Sequence, residues 1–126
     1  MADADTKKRI LVVDDEGPVC ALMSERLSSA GFDCTTCDSG EKALETLESN
    51  SFDAIISDLN MPELSGRELI RKVRKTGSDV PVVFLTGDDG PRSEDGGADD
   101  YLLKDENLQD SVVASVERVL ERRSRR

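Results

Sequence analysis

Ile10-Leu11-Val12-Val13-Asp14-Asp15-Glu16 is the stretch that decides how this chain is read. A short, largely β-branched apolar run that stops abruptly on acidic residues reads as a strand covered on both faces inside a parallel sheet. Downstream, Pro18 suits a helix's first turn, and Val19, Leu22, Met23 and Leu27 recur at helical spacing until Gly31 stops them. Residues 32–36 read as a weaker strand. Asp38-Ser39 then offers a helix cap, with Glu41 in the first turn ahead of Ala43, Leu44 and Leu47, and that helix ends near Asn50.

The pattern repeats along the chain. Residues 54–57 form a third strand that runs into Asp58. A third helix follows over residues 65–76, with Leu69, Ile70 and Val73 facing inward and Gly77 closing it. Residues 81–85 and 101–103 read as the fourth and fifth strands, and Leu108, Val112, Val113, Val116, Val119 and Leu120 mark one face of a last helix. Alternation of strand and helix predicts an α/β fold with a parallel sheet, right-handed crossovers and helices on both faces.

Composition bounds the rest. A chain of 126 residues fits one domain, spanning 1–126, with polar residues 1–8 as an N-terminal tail and 122–126 as a basic C-terminal tail. Charged residues make up 35% and aromatics 3%, so the core must be aliphatic. The formal charge of -10 predicts repulsion of nucleic acid and anionic lipid, so neither is expected as a direct partner. The run Arg122, Arg123, Ser124, Arg125 and Arg126 is assigned no function. No apolar stretch is long enough to span a bilayer and no signal-peptide core precedes Arg9, which predicts a cytoplasmic location. Cys20, Cys34 and Cys37 read as small hydrophobes or bystanders, because a zinc site would need further ligands and the chain has no histidine. Without histidine, any chemistry must run on carboxylates, hydroxyls and lysines.

In an open parallel sheet the ligand site lies beyond the carboxyl ends of the strands. There the sequence delivers Asp14-Asp15, Asp58, Thr86 and Lys104 from four separate segments. Each alone is an ordinary loop, strand-end or surface residue. Together, three carboxylates on one rim repel one another unless a cation neutralises them, and an all-oxygen site favours magnesium, with manganese as the alternative, over zinc. A carboxylate beside such an ion can attack phosphorus. Asp58 is then the candidate nucleophile, with Thr86 donating a hydroxyl hydrogen bond and Lys104 supplying a point charge to the phosphoryl oxygens.

Four segments carry a family resemblance over nearly the whole chain: residues 10–16; Asp58-Leu59-Asn60-Met61-Pro62 with Gly66; Phe84-Leu85-Thr86; and Gly97-Ala98-Asp99-Asp100-Tyr101-Leu102-Leu103-Lys104. The sequence resembles the receiver domains of two-component signalling response regulators. The resemblance implies a doubly wound five-stranded sheet in the order 2-1-3-4-5. It implies magnesium held by Asp14, Asp15, Asp58 and the backbone carbonyl of Asn60. It also implies a phosphoryl group passed to Asp58 from the phosphohistidine of a sensor histidine kinase or a histidine phosphotransfer protein, and a switch in which Thr86 and Tyr101 move and an output partner, not identified by the sequence, reads the change. Such a phosphorelay element is a phosphoprotein switch, not an enzyme with its own metabolic substrate. Two other readings remain: a magnesium-dependent phosphatase, which would want an acid or base where Asn60 stands, and a degenerate receiver that only binds partners.

Two departures from the family stand out. Residues 87–97 hold four glycines and Pro91 but no residue able to form an apolar helix face, so the fourth helix of the family is expected to be short or absent. Lys104 is followed by Asp105 where the family usually has proline, commonly after a cis bond. A cis bond before a non-proline residue costs about 2.5–4 kcal/mol, which leaves the aim of Lys104 for the structure to decide.

Overall fold

Arg9–Val13 forms β1, and its aliphatic residues from Ile10 onward are fully buried. It pairs in parallel with β2 (Asp33–Cys37) on one side and β3 (Ala54–Asp58) on the other. β4 (Val82–Thr86) and β5 (Asp100–Leu103) extend the sheet beyond β3, giving the order β2-β1-β3-β4-β5. The helices between and after them are α1 (Gly17–Ser29), α2 (Gly40–Ser49), α3 (Gly66–Lys75) and α4 (Leu108–Ser124). The computed structural model describes residues 7–87 and 98–124. The expected shortening of the family's fourth helix falls almost entirely on residues 88–97, which lie outside the described residues.

Strand alternation sorts the core into two halves. Ile10, Val12, Ile56, Val83 and Leu85 point to the face covered by α1 and α4, where Met23, Leu27, Val112, Val116 and Val119 meet them. Leu11, Val13, Ile55, Val82 and Phe84 point to the other face, against Ala43, Leu69, Ile70 and Val73 of α2 and α3. This is why the central strands read as continuous apolar runs: both of their faces are covered.

Local chemistry fixes the helix ends. Ser39 caps α2, its hydroxyl accepting from the Lys42 N–H at 3.1 Å. Ser65 and Glu68 form a reciprocal capping box at the start of α3. Gly31 and Gly77, at φ of 100° and 92°, take the left-handed conformation that ends α1 and α3. β2 starts one residue later than the sequence suggests, because the Phe32 N–H is held by the Leu27 carbonyl at 3.1 Å and its ring packs with α1. Arg122, read from the sequence as the first residue of the tail, belongs to α4 and donates to the Asp99 carbonyl at 2.9 Å. Cys20 and Cys37 are buried and all three thiols are free; burial pushes the Cys20 and Cys34 thiols up to about 11. Among the described residues no helix is long and apolar enough to cross a membrane.

β5 is tied to α4 through Asp100, whose Oδ2 accepts from the Ser115 hydroxyl and the Arg118 guanidinium, both at 2.6 Å. Burial pushes this carboxyl upward, but those two donors and the Tyr101 N–H outweigh it and hold it below the ordinary aspartate value. A carboxyl lowered in the folded state contributes stability that is complete above its unfolded value and is lost as pH falls through the folded one. Asp100→Asn is therefore expected to cost roughly 1 kcal/mol at neutral pH and progressively less in acid. Urea unfolding of both forms from neutral pH to below the aspartate range checks this; a gap that stays constant through that range would contradict it.

Candidate functional site

Asp14 lies one residue beyond the end of β1 and is fully buried. Its N–H is fixed to the Cys37 carbonyl at 3.1 Å, and its Oδ1 accepts from the Glu16 N–H at 2.8 Å, which turns the chain into α1 and leaves Asp15 exposed. Asp58 closes β3, is 5% exposed, and accepts from the Asn60 N–H at 3.2 Å. Thr86 closes β4 one residue beyond Leu85, the register partner of Asp58, and is also buried. The Thr86 carbonyl accepts from the Lys104 N–H at 2.9 Å, bringing the end of β5 to the same rim.

The three aspartates and Lys104 therefore meet, while Thr86 reaches the rim through its backbone. Carboxylate oxygens of Asp14, Asp15 and Asp58 lie within 4.8 Å of one another. The Lys104 ammonium sits 2.8 Å from Asp58 Oδ2 and 2.9 Å from Asp14 Oδ2. Among the described residues no peptide bond is cis, so the link to Asp105 is trans; Lys104 reaches the carboxylates because its backbone pairs with β4. Tyr101 is placed differently: it is half-buried against Phe84, its register partner, with ring centroids 5.9 Å apart.

Glu16 is the residue that sequence reasoning left out of the site. Its Oε1 lies 2.9 Å from Lys104 Nζ. It follows the acidic pair directly, yet nothing in the spacing signals that its side chain turns to a lysine 88 positions away.

Three carboxylates, Asp14, Glu16 and Asp58, gathered around one ammonium set the electrostatics. Burial pushes the Asp14 carboxyl up and neighbouring Asp58 adds to this, against the opposing Glu16 N–H and Lys104. Burial disfavours the charged form of Lys104, but Asp58, Asp14 and Glu16 reverse that and raise it well above the ordinary lysine value. Asp14 Oδ2 is buried in ionic contact with Lys104, yet no hydrogen bond is directed at it. With the Lys104 ammonium as its ionic partner, this buried oxygen keeps lone-pair capacity that a further cation can use. An all-oxygen cluster holding an unsatisfied buried carboxylate oxygen fits a hard divalent cation such as magnesium.

The loop after Asp58 is held just as closely. The Leu59 N–H donates to the Leu85 carbonyl and the Gly66 N–H to the Leu59 carbonyl, both at 3.1 Å. Ser57, fully buried, donates to the Asp58 carbonyl at 3.0 Å. A Cβ at position 66 would run into that same Asp58 carbonyl oxygen and lie 3.1 Å from the Leu59 Cα. Gly66 is required by this close approach of α3 to the strand end.

Comparison with known proteins finds a family model, a relative and two solved structures. The family model described as response regulator receiver domain matches residues 10–116. The transcriptional regulatory protein PrrA of Mycobacterium tuberculosis is 39% identical over 122 residues, 94% of this chain and 52% of that protein, so the chain spans about half the length of this relative. Among solved structures, the chemotaxis protein CheY4 of Vibrio cholerae superposes with a TM-score of 0.85 at 31% identity, covering 90% of this chain and 99% of that one. The response regulator TrrA of Thermotoga maritima, in complex with Mg2+ and BeF, superposes at 0.82 with 36% identity, covering 89% and 98%.

These findings correct one expectation. The negative charge of the chain argues against direct nucleic-acid binding, but this relative is named a transcriptional regulatory protein. The physical reason is one of scope: a net charge of -10 describes the field around these 126 residues, which correspond to about half of that relative, and it cannot speak for the remainder.

Gly66→Ala is expected to cost about 1–3 kcal/mol, because the intruding atom meets backbone and not a flexible side chain. Urea unfolding measures it, and a variant of unchanged stability would contradict the close approach.

Proposed function

The chain belongs to the response regulator receiver domain family, and on that footing we propose that Asp58 is the phosphoryl acceptor of a magnesium-dependent switch. As a receiver domain of two-component signalling it is a phosphorylation-controlled switch. The observation that supports Asp58 for the role is its position: it is the buried end of the central strand β3, within reach of Asp14, Asp15 and Lys104.

In the proposed reaction an Asp58 carboxylate oxygen attacks the phosphorus of a phosphohistidine on a sensor histidine kinase or histidine phosphotransfer protein. An O–P bond forms, the P–N bond breaks, and the imidazole leaves with a proton. Asp14, Asp15, Asp58 and the Asn60 carbonyl would hold the magnesium, with manganese as a substitute. When bound, the ion supplies charge neutralisation on the phosphoryl oxygens. Thr86 would donate its hydroxyl to one phosphoryl oxygen and Lys104 would ion-pair with another. The BeF and Mg2+ named with the Thermotoga relative are consistent with this, since beryllium fluoride stands in for a phosphoryl group.

Tyr101 would report the change, since it bridges Phe84, two residues before Thr86, to β5, the strand that leads into Lys104. Asn60, two residues after Asp58, carries a carboxamide that is neither an acid nor a base near neutral pH, which supports a switch over a turnover enzyme. Residues 1–126 would act as one receiver unit in the cytoplasm. Control of transcription, in the sense of the PrrA name, is the output we propose.

Asp58→Asn is expected to abolish labelling by a small acyl phosphate, read as added mass on the intact protein, and excess chelator is expected to stop labelling of the unaltered chain. Full labelling of Asp58→Asn would overturn the acceptor assignment, and an unchanged rate in chelator would overturn the metal requirement.

A further inference from the structure

Three carboxylates hold the Lys104 ammonium, and they are not equivalent. Asp14 Oδ2 and Asp58 Oδ2, at 2.9 Å and 2.8 Å, belong to residues of the acidic trio. Glu16 Oε1, at 2.9 Å, belongs to an exposed residue outside that trio. Glu16 is also the N-cap residue of α1, yet its side chain makes no capping hydrogen bond. Near a helix N-terminus an acidic side chain is ordinarily drawn to the exposed N–H groups. Here its N–H is committed to Asp14 Oδ1 at 2.8 Å, and the carboxylate turns across the rim to Lys104.

We propose that Glu16 is a positioning residue for Lys104: it retains the ammonium when a divalent cation occupies the Asp14, Asp15 and Asp58 carboxylates, so that lysine and metal do not compete for the same oxygens. The proposal rests on reading the acidic trio as a metal site. Lys104 makes ionic contacts with two carboxylates of that site. An incoming divalent ion needs the oxygens the lysine holds, and two cations at such spacing repel. A lysine released from every partner would be a charge with only 17% of its side chain exposed and nothing to balance it.

With Glu16 in place the ammonium keeps one of its three contacts. That contact adds little while Asp14 and Asp58 share the same ammonium, and more once it is the sole partner. An interaction stronger in the loaded state than in the empty one raises the affinity for the ion. Glu16 thereby joins the site without touching the metal.

Magnesium titration of the full chain by calorimetry, with the lysine Cε resonances followed by NMR, tests this. Glu16→Gln is expected to weaken magnesium binding about two- to five-fold and to shift the Lys104 Cε resonance of the loaded protein. Glu16→Asp keeps the charge but shortens the reach, and is expected to weaken binding comparably. In a Lys104→Met background the Glu16→Gln effect should disappear. An equal loss in that background would make Glu16 a long-range charge only and overturn the proposal. So would full affinity in Glu16→Asp alongside a loss in Glu16→Gln, or full affinity in both. Absence of any magnesium binding by the unaltered chain would instead overturn the metal reading itself.

Discussion

Two buried carboxylates, Asp14 and Asp58, share one ammonium at the carboxyl edge of the sheet, and most of the architecture serves that arrangement. Charges out of water are tolerated only when paired. The pairing here joins the end of β1, the end of β3 and the end of β5, three strands that meet only because the sheet is wound in the order β2-β1-β3-β4-β5. The ammonium of Lys104 satisfies the cluster incompletely: Asp14 Oδ2 receives no hydrogen bond. A buried carboxylate oxygen paired only ionically, beside two further carboxylates, fits a cation.

Rigidity behind the site follows from the aliphatic core. Side chains of β1, β3 and β4 alternate between two packed halves, so a strand end cannot shift without disturbing both. The loop after Asp58 is pinned to β4 by the Leu59 N–H and to α3 by the Gly66 N–H. The capping box at Ser65 and Glu68 starts α3 at the position that brings Gly66 against the Asp58 carbonyl. A capping motif, a missing side chain and a strand end thus act together on the backbone of one residue.

The same rim is open where the core is not. Asp15 and Glu16 are exposed while Asp14 and Asp58 are buried. Glu16 is the exposed member of the three carboxylates that hold Lys104. Tyr101 stands apart from the cluster, packed on Phe84 of β4.

The sequence by itself determined the parallel α/β architecture and the acidic trio with Thr86 and Lys104. Apolar runs such as residues 10–13 and 54–57 end abruptly on polar residues, and in a parallel sheet all such ends lie on one edge. Helix limits were legible where a local group sets them, as at Ser39, Ser65, Gly31 and Gly77. The start of β2 was not, because a bond from Phe32 to Leu27 overrides strand propensity. Nor was Arg122 legible as a helix residue, since its partner is a carbonyl on a distant loop. The tertiary structure alone decided that Glu16 joins Lys104 across 88 positions and that Asp14 Oδ2 is left without a hydrogen bond. Local patterns record what a residue does to its neighbours along the chain, whereas the aim of a side chain across a rim depends on which strands the fold lays side by side.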